Sequence, residues 1–257
     1  MIEIRRVIDK LDEYLGHNDY ASAEKLLDYW TDEAMNSGDG RSELTLLNEQ
    51  IGLYRKQHVE EKGLEVCRRA LELSENEKFG DTVRATTYIN AATAYKEFGM
   101  ADMAYPLYRQ AEALYKAELE ADDQRMAGLY NNMALTVAEL GEYEQARGLY
   151  IKALDIMRTK ENGAIEMAVT YCNLADLVYM EGLNEQNGRD HIYDKEDKEN
   201  LILSYLQKAD IMLESVTKRD THYAFFCDKC ASAFEFHGMF MTAKKYRDRT
   251  EKIVKNH

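Results

Sequence analysis

The sequence predicts an all-α fold, a solenoid of about six stacked helical hairpins, and three observations predict it. A small or mostly small residue returns at one place in a helical hydrophobic pattern: Ala23, Gly63, Ala104, Ala146, Ile202 and Ala243, spaced 40, 41, 42, 56 and 41 residues apart. A fixed period of that length marks a stack of like supersecondary units rather than one closed core. The 257-residue chain holds one proline and is rich in Ala, Leu, Glu, Lys and Tyr, which favours helix almost throughout. No segment sustains the period-two alternation of a β-strand.

The first unit, about residues 1–40, opens on the charged amphipathic segment MIEIRRVIDKLDEYL. The turn LGHNDY follows, then Tyr20, Ala23 and Leu27 on a second stripe. The second unit, 41–80, carries the pattern more weakly in Tyr54, His58, Gly63 and Ala70. In the third, 81–123, Tyr88, Ala92 and Tyr95 lead to Gly99 and then to Ala104, Tyr108 and Ala111. The fourth, 124–163, is the clearest. Tyr130, Met133, Ala134 and Val137 form one stripe, Gly141 ends that helix, and Ala146, Leu149, Tyr150, Ala153, Leu154 and Met157 form the next. Two amphipathic helices joined so closely fold back as an antiparallel hairpin, and Ala134 and Ala146 are small where the helices approach. The fifth, 164–219, keeps Tyr171, Leu174, Ala175, Val178 and Gly182, but the insertion 183–199 displaces its second helix to about residues 200–216. The sixth, 220–257, matches through Ala231, Phe234, Gly238, Phe240, Ala243 and Thr250. The connectors SGDGR, SENEKFGD, ADDQ, ENGA and KRDT are turn-rich joints, so the chain reads as one solenoid domain.

The run Gly141, Tyr143, Ala146, Tyr150, Ala153 resembles the tetratricopeptide repeat, and the forms LYNNMA and AYPLYRQA resemble its longer version, of about 42 residues, in kinesin light chains. The resemblance implies a right-handed superhelical solenoid. The chain departs from the pattern in lacking the closing prolines: its one proline, Pro106, lies early in a second helix.

A formal net charge of -14 disfavours nucleic-acid phosphates and anionic lipid heads as partners. No stretch approaches a membrane span, and the first helix lacks the apolar run of a signal peptide. Four cysteines are too few for a disulfide framework in a chain this long, so a cytoplasmic location is expected.

Stacked hairpins curve around a concave face, and the resemblance implies that the first helix of each hairpin lines it. The side chains expected there are Asn90, Thr93 and Lys96 in unit three, and Asn131, Asn132 and Leu135 in unit four. Asn173, Asp176 and Tyr179 follow in unit five, and Phe225, Lys229 and Phe236 in unit six. Asn90, Asn132 and Asn173 occupy one register. A carboxamide both donates and accepts, so such a ladder suits the backbone of an extended peptide; it equally suits a bond to the neighbouring helix. The groove carries few cations, so a neutral or basic peptide or protein segment is expected. Phe225 and Phe236 form either an apolar pocket or a cover for the last hairpin. A homodimer through the exposed ends of the stack is also open.

Catalysis is not expected, nor is a cofactor. Cys227 and Cys230 form a CxxC with His222 and His237 near in sequence, but they fall on a core stripe; buried thiols, a zinc site and a redox pair are the alternatives. The insertion holds His191 between Asp190 and Asp194 without a nucleophile motif, and Ile192 and Tyr193 are candidates for partner contact. The leading reading is a non-enzymatic interaction scaffold; a regulatory sensor of a small signalling peptide is the alternative, and an enzyme or metal site using the insertion 183–199, centred on His191, is the third.

Overall fold

The computed structural model describes residues 2–185 and 195–255. Among them are twelve α-helices, one 3-10 turn at Glu77–Phe79, and no strand. The chain forms two compact units, Met1–Glu120 and Ala121–His257. The first holds α1 (Ile4–Gly16), α2 (Tyr20–Ser37), α3 (Gly40–Gln57), α4 (Glu60–Ser74), α5 (Asp81–Glu97) and α6 (Ala101–Glu118). The second holds α7 (Gln124–Glu139), α8 (Tyr143–Met157), α9 (Ala164–Glu185), α10 (Lys195–Ser215), α11 (Thr221–Phe236) and α12 (Phe240–Lys255). In both, each odd-numbered helix packs on the even-numbered helix that follows it.

Five of these pairs turn in the same way. The residues that take positive φ are Asn18, His58, Gly99, Gly141 and Gly238. At Gly141 φ is 82°, where a side chain would be strained, and the next amide closes the turn from Glu142 N to Val137 O at 2.9 Å. The same closure joins Met100 N to Tyr95 O at 2.9 Å and Met239 N to Phe234 O at 2.7 Å. The next pair begins on an aspartate in three places. Asp39, Asp123 and Asp220 accept from the amides of Ser42, Arg125 and Tyr223, capping α3, α7 and α11.

The recurring small residues sit inside. Ala23, Ala104 and Ala146 are fully buried, Ala243 is buried, and a Cβ on the buried Gly63 would stand 2.7 Å from Phe98 Cζ. Ile202 is the exception: it is only half-buried, in the pair whose helices are longest. Helix α3 explains why the second unit reads weakly in sequence. It buries Leu46 and Leu53 against α1 and α2, and Leu44, Leu47 and Ile51 against α4 and α5. Two buried faces blur a single stripe. Trp30 packs, partly buried, on the α1–α2 core.

The fifth pair departs from expectation. Gly182 does not end a helix: α9 continues to Glu185, and α10 begins at Lys195 rather than near residue 200. The described residues of the insertion, 183–185 and 195–199, are therefore helix, with Lys198 lying 3.5 Å from the position a Cβ on Gly182 would take. Asp190, His191, Ile192, Tyr193 and Asp194 lie outside the described residues. Among the described residues no helix is long and apolar enough to cross a membrane.

Candidate functional site

The second unit holds a groove of about 810 Å³ between α7, α9 and α11. Helix α9 buries one stripe, Ala168, Tyr171, Leu174, Ala175 and Val178, against its neighbours. The opposite stripe then presents Glu166, Val169, Asn173, Asp176 and Met180 to the groove. One wall comes from α7 with Asn131, Asn132 and Leu135, and the other from α11 with Phe226, Lys229, Ala233 and Phe236.

Eight of the sequence-predicted residues come together there: Asn131, Asn132, Leu135, Asn173, Asp176, Tyr179, Lys229 and Phe236. Phe225 does not line the groove. It stands exposed on α11, edge-to-face with Phe226 at 5.2 Å and beneath the Lys229 ammonium at 4.9 Å. Asn90, Thr93 and Lys96 belong to the first unit. Asn90 Nδ2 donates to Asn48 Oδ1 at 2.8 Å, and Asn48 Nδ2 donates to Thr87 Oγ1 at 3.1 Å, so this carboxamide links α5 to α3. Thr93 exchanges a hydrogen bond with Tyr108 at 2.9 Å, and Lys96 pairs with Glu97 at 2.8 Å.

The groove asparagines divide in the same terms. Asn131 accepts from the buried Thr170 hydroxyl at 3.1 Å and is part of the α7–α9 contact. Among the described residues, the carboxamides of Asn132 and Asn173 bond to no protein group. They are half-buried and open on the groove, each with two donors and an acceptor to offer.

One end of the groove is an aromatic cluster. Tyr179 meets Phe236 edge-on at 5.0 Å, and both pack on the imidazole of His237. His237 Nε2 lies 2.8 Å from Asp176 Oδ1, which fixes the ring and occupies one oxygen of that carboxylate. In sequence His237 lies near the cysteines, and no local signal pairs it with a residue 61 positions away.

The cysteines part company. Both Cys227 and Cys230 are buried, but Cys230 contacts Cys172 at the groove floor while Cys227 contacts Tyr223. The hydrogen bond with Cys230, together with burial, holds the Cys172 thiol well above its usual range, and burial pushes Cys227 up to about 11. Both are thiols at neutral pH and poor nucleophiles.

Residues 125–186, which span α7 to α9, match the tetratricopeptide repeat family model. The chain carries tetratricopeptide-type helical repeats. Among curated proteins, none matches. Solved structures extend the likeness to the rest of the chain. BtubC (BKLC) from P. vanneervenii is 19% identical, over 93% of this chain and 91% of that one, with a TM-score of 0.60. A Podosopora anserina protein described as a kinesin light chain with nearly identical TPR-like repeats is 14% identical, over 82% and 94%, at 0.55. The quorum sensor NprR of B. thuringiensis, in complex with its cognate peptide NprX, is 15% identical, over 99% of this chain and 68% of that one, at 0.60. At these identities the likeness is one of fold. Its tetratricopeptide-type repeats account for the way α7, α9 and α11, the first helices of successive pairs, stand side by side along the groove.

Proposed function

We propose that this protein is a non-enzymatic interaction scaffold that holds an extended peptide, or a segment of a partner protein, in the groove of the second unit. The observation that carries the reading is the pair Asn132 and Asn173, two carboxamides in one register on neighbouring helices, facing the groove with no protein partner among the described residues. A peptide backbone offers donors and acceptors in the alternation such carboxamides satisfy. Leu135, Tyr179, Met180, Phe226 and Phe236 add apolar surface, and a concave site with mostly apolar walls and a few placed polar groups is the usual form of a ligand pocket. Asp176 and Glu166 favour a neutral or basic segment. Asn90, Thr93 and Lys96 fall outside this proposal, because Asn90 is engaged within the first unit.

The test is selection from a random heptapeptide display library against the folded protein, followed by affinity measurement with N132A/N173A. Selected peptides should bind the variant more weakly. Unchanged affinity in a folded variant would sink the groove reading.

The likeness to NprR, whose structure holds a cognate peptide, favours a second reading in which the bound peptide is a signal and the protein its sensor. That reading predicts a change in the small-angle scattering profile on adding a selected peptide; an invariant profile leaves the scaffold alone standing.

A further inference from the structure

The two ends of the groove differ in chemistry, and the difference defines a ligand. At one end Glu166 lines the groove, and its Oε2 is enclosed without a hydrogen-bond partner among the described residues. An unpaired carboxylate oxygen shielded from water is costly, and a donor that reaches it recovers that cost. The terminal torsion of glutamate is soft, so the carboxylate can turn toward a donor arriving in the groove. At the other end Tyr179 and Phe236 stand edge-on, 39% and 62% exposed, with Met180 beside them. That surface accepts another aromatic ring or a large aliphatic side chain. Between the ends, Lys229 lies over the rings of Phe225 and Phe226 and pairs with no carboxylate among the described residues. Its charge opposes a second basic residue at mid-groove.

The spacing sets the length. Glu166 and Tyr179 are thirteen residues apart on one helix, which at 1.5 Å per residue is about 20 Å. An extended chain advances about 3.3 Å per residue, so about seven residues span the distance.

We infer that the groove selects a segment of about seven residues with a basic side chain at one end, for Glu166, and an aromatic or large aliphatic side chain at the other, for Tyr179 and Phe236. The inference rests on the groove reading above and adds to it the identity of the two anchoring side chains.

The test uses fluorescein-labelled heptapeptides and fluorescence polarisation on the full chain. One peptide has arginine first and phenylalanine last, with alanine and serine between; a second reverses the order. Matched controls replace arginine with glutamate or phenylalanine with alanine. One of the two arginine–phenylalanine orders should bind about tenfold more tightly than its glutamate control, as expected for a charge-assisted contact. E166Q, which keeps the volume of the side chain, should erase that preference, and E166K should turn it toward the glutamate peptide. The phenylalanine-to-alanine control should lose about as much, given the ring contacts available. Equal binding of arginine and glutamate peptides, or a preference that survives E166Q, overturns the inference. If N132A/N173A still weakens all peptides in that case, the groove reading stands without it. If no peptide binds at about millimolar concentration, or binding ignores N132A/N173A, both fall.

Discussion

The asparagines provide a test that needs no ligand. Asn132 and Asn173 are mid-helix residues whose carboxamides bond to no protein group among the described residues. Alanine is the better helix former by about 0.5 kcal/mol per site. The double variant N132A/N173A should therefore be as stable as the parent or more stable, by up to about 1 kcal/mol. Asn48→Ala is the contrast. It removes an acceptor from Asn90 and a donor from the buried Thr87 hydroxyl, and at about 0.5–1.5 kcal/mol per bond it should cost about 1–3 kcal/mol, less the propensity gain. Urea denaturation followed by circular dichroism reads both. The same double variant should weaken a bound peptide by about 1–3 kcal/mol, roughly 5- to 150-fold in Kd, if each asparagine makes one backbone bond. A loss of stability above about 1 kcal/mol in N132A/N173A would refute the reasoning, because it would mean that these side chains join helices as Asn48 does.

Three further outcomes follow from the packing. Burial alone would raise Glu214, but hydrogen bonds from Arg249 and Lys245 outweigh it and hold the carboxyl at about 2. Its usual value is about 4.3, so its contribution is complete above that pH and lost as pH falls through about 2. E214Q should flatten the fall in stability over that acid window, as read by denaturation at stepped pH. Gly148→Ala, on a helical glycine with nothing within 4 Å of the new Cβ, should stabilise by about 0.5–1 kcal/mol. Gly63→Ala should not, because its Cβ meets Phe98 at 2.7 Å and the ring must move; thermal melts compare the two. Ala146→Leu should cost about 1–3 kcal/mol, since the site is fully enclosed in the α7–α8 pair.

What the sequence made legible, and what it did not, follows the range of the interactions. The turns at Gly99, Gly141 and Gly238 and the caps at Asp39, Asp123 and Asp220 are local chemistry, complete within six residues, and could be read directly. Gly182 occupies the same register as those turn glycines, yet it stays helical because the chain after it does not reverse there. The site shows the same division at longer range. Register places Asn90, Asn132 and Asn173 at one angle on their helices, but the neighbouring helix decides what each meets. Helix α3 supplies Asn48 within reach of Asn90. Beside Asn173, the carboxamide that α7 supplies is Asn131, already bonded to Thr170. Asn131 stands 83 residues after Asn48, as Thr170 does after Thr87 and Asn173 after Asn90, so the neighbours recur too. What differs is the sense of one bond: Asn48 donates to Thr87 and keeps its oxygen for Asn90, whereas Asn131 spends its oxygen on Thr170. A recurring register therefore does not by itself mark a binding residue: the way the neighbouring carboxamide is engaged decides whether the next one is consumed in the fold, as Asn90 is, or stays open to a ligand, as Asn173 does among the described residues.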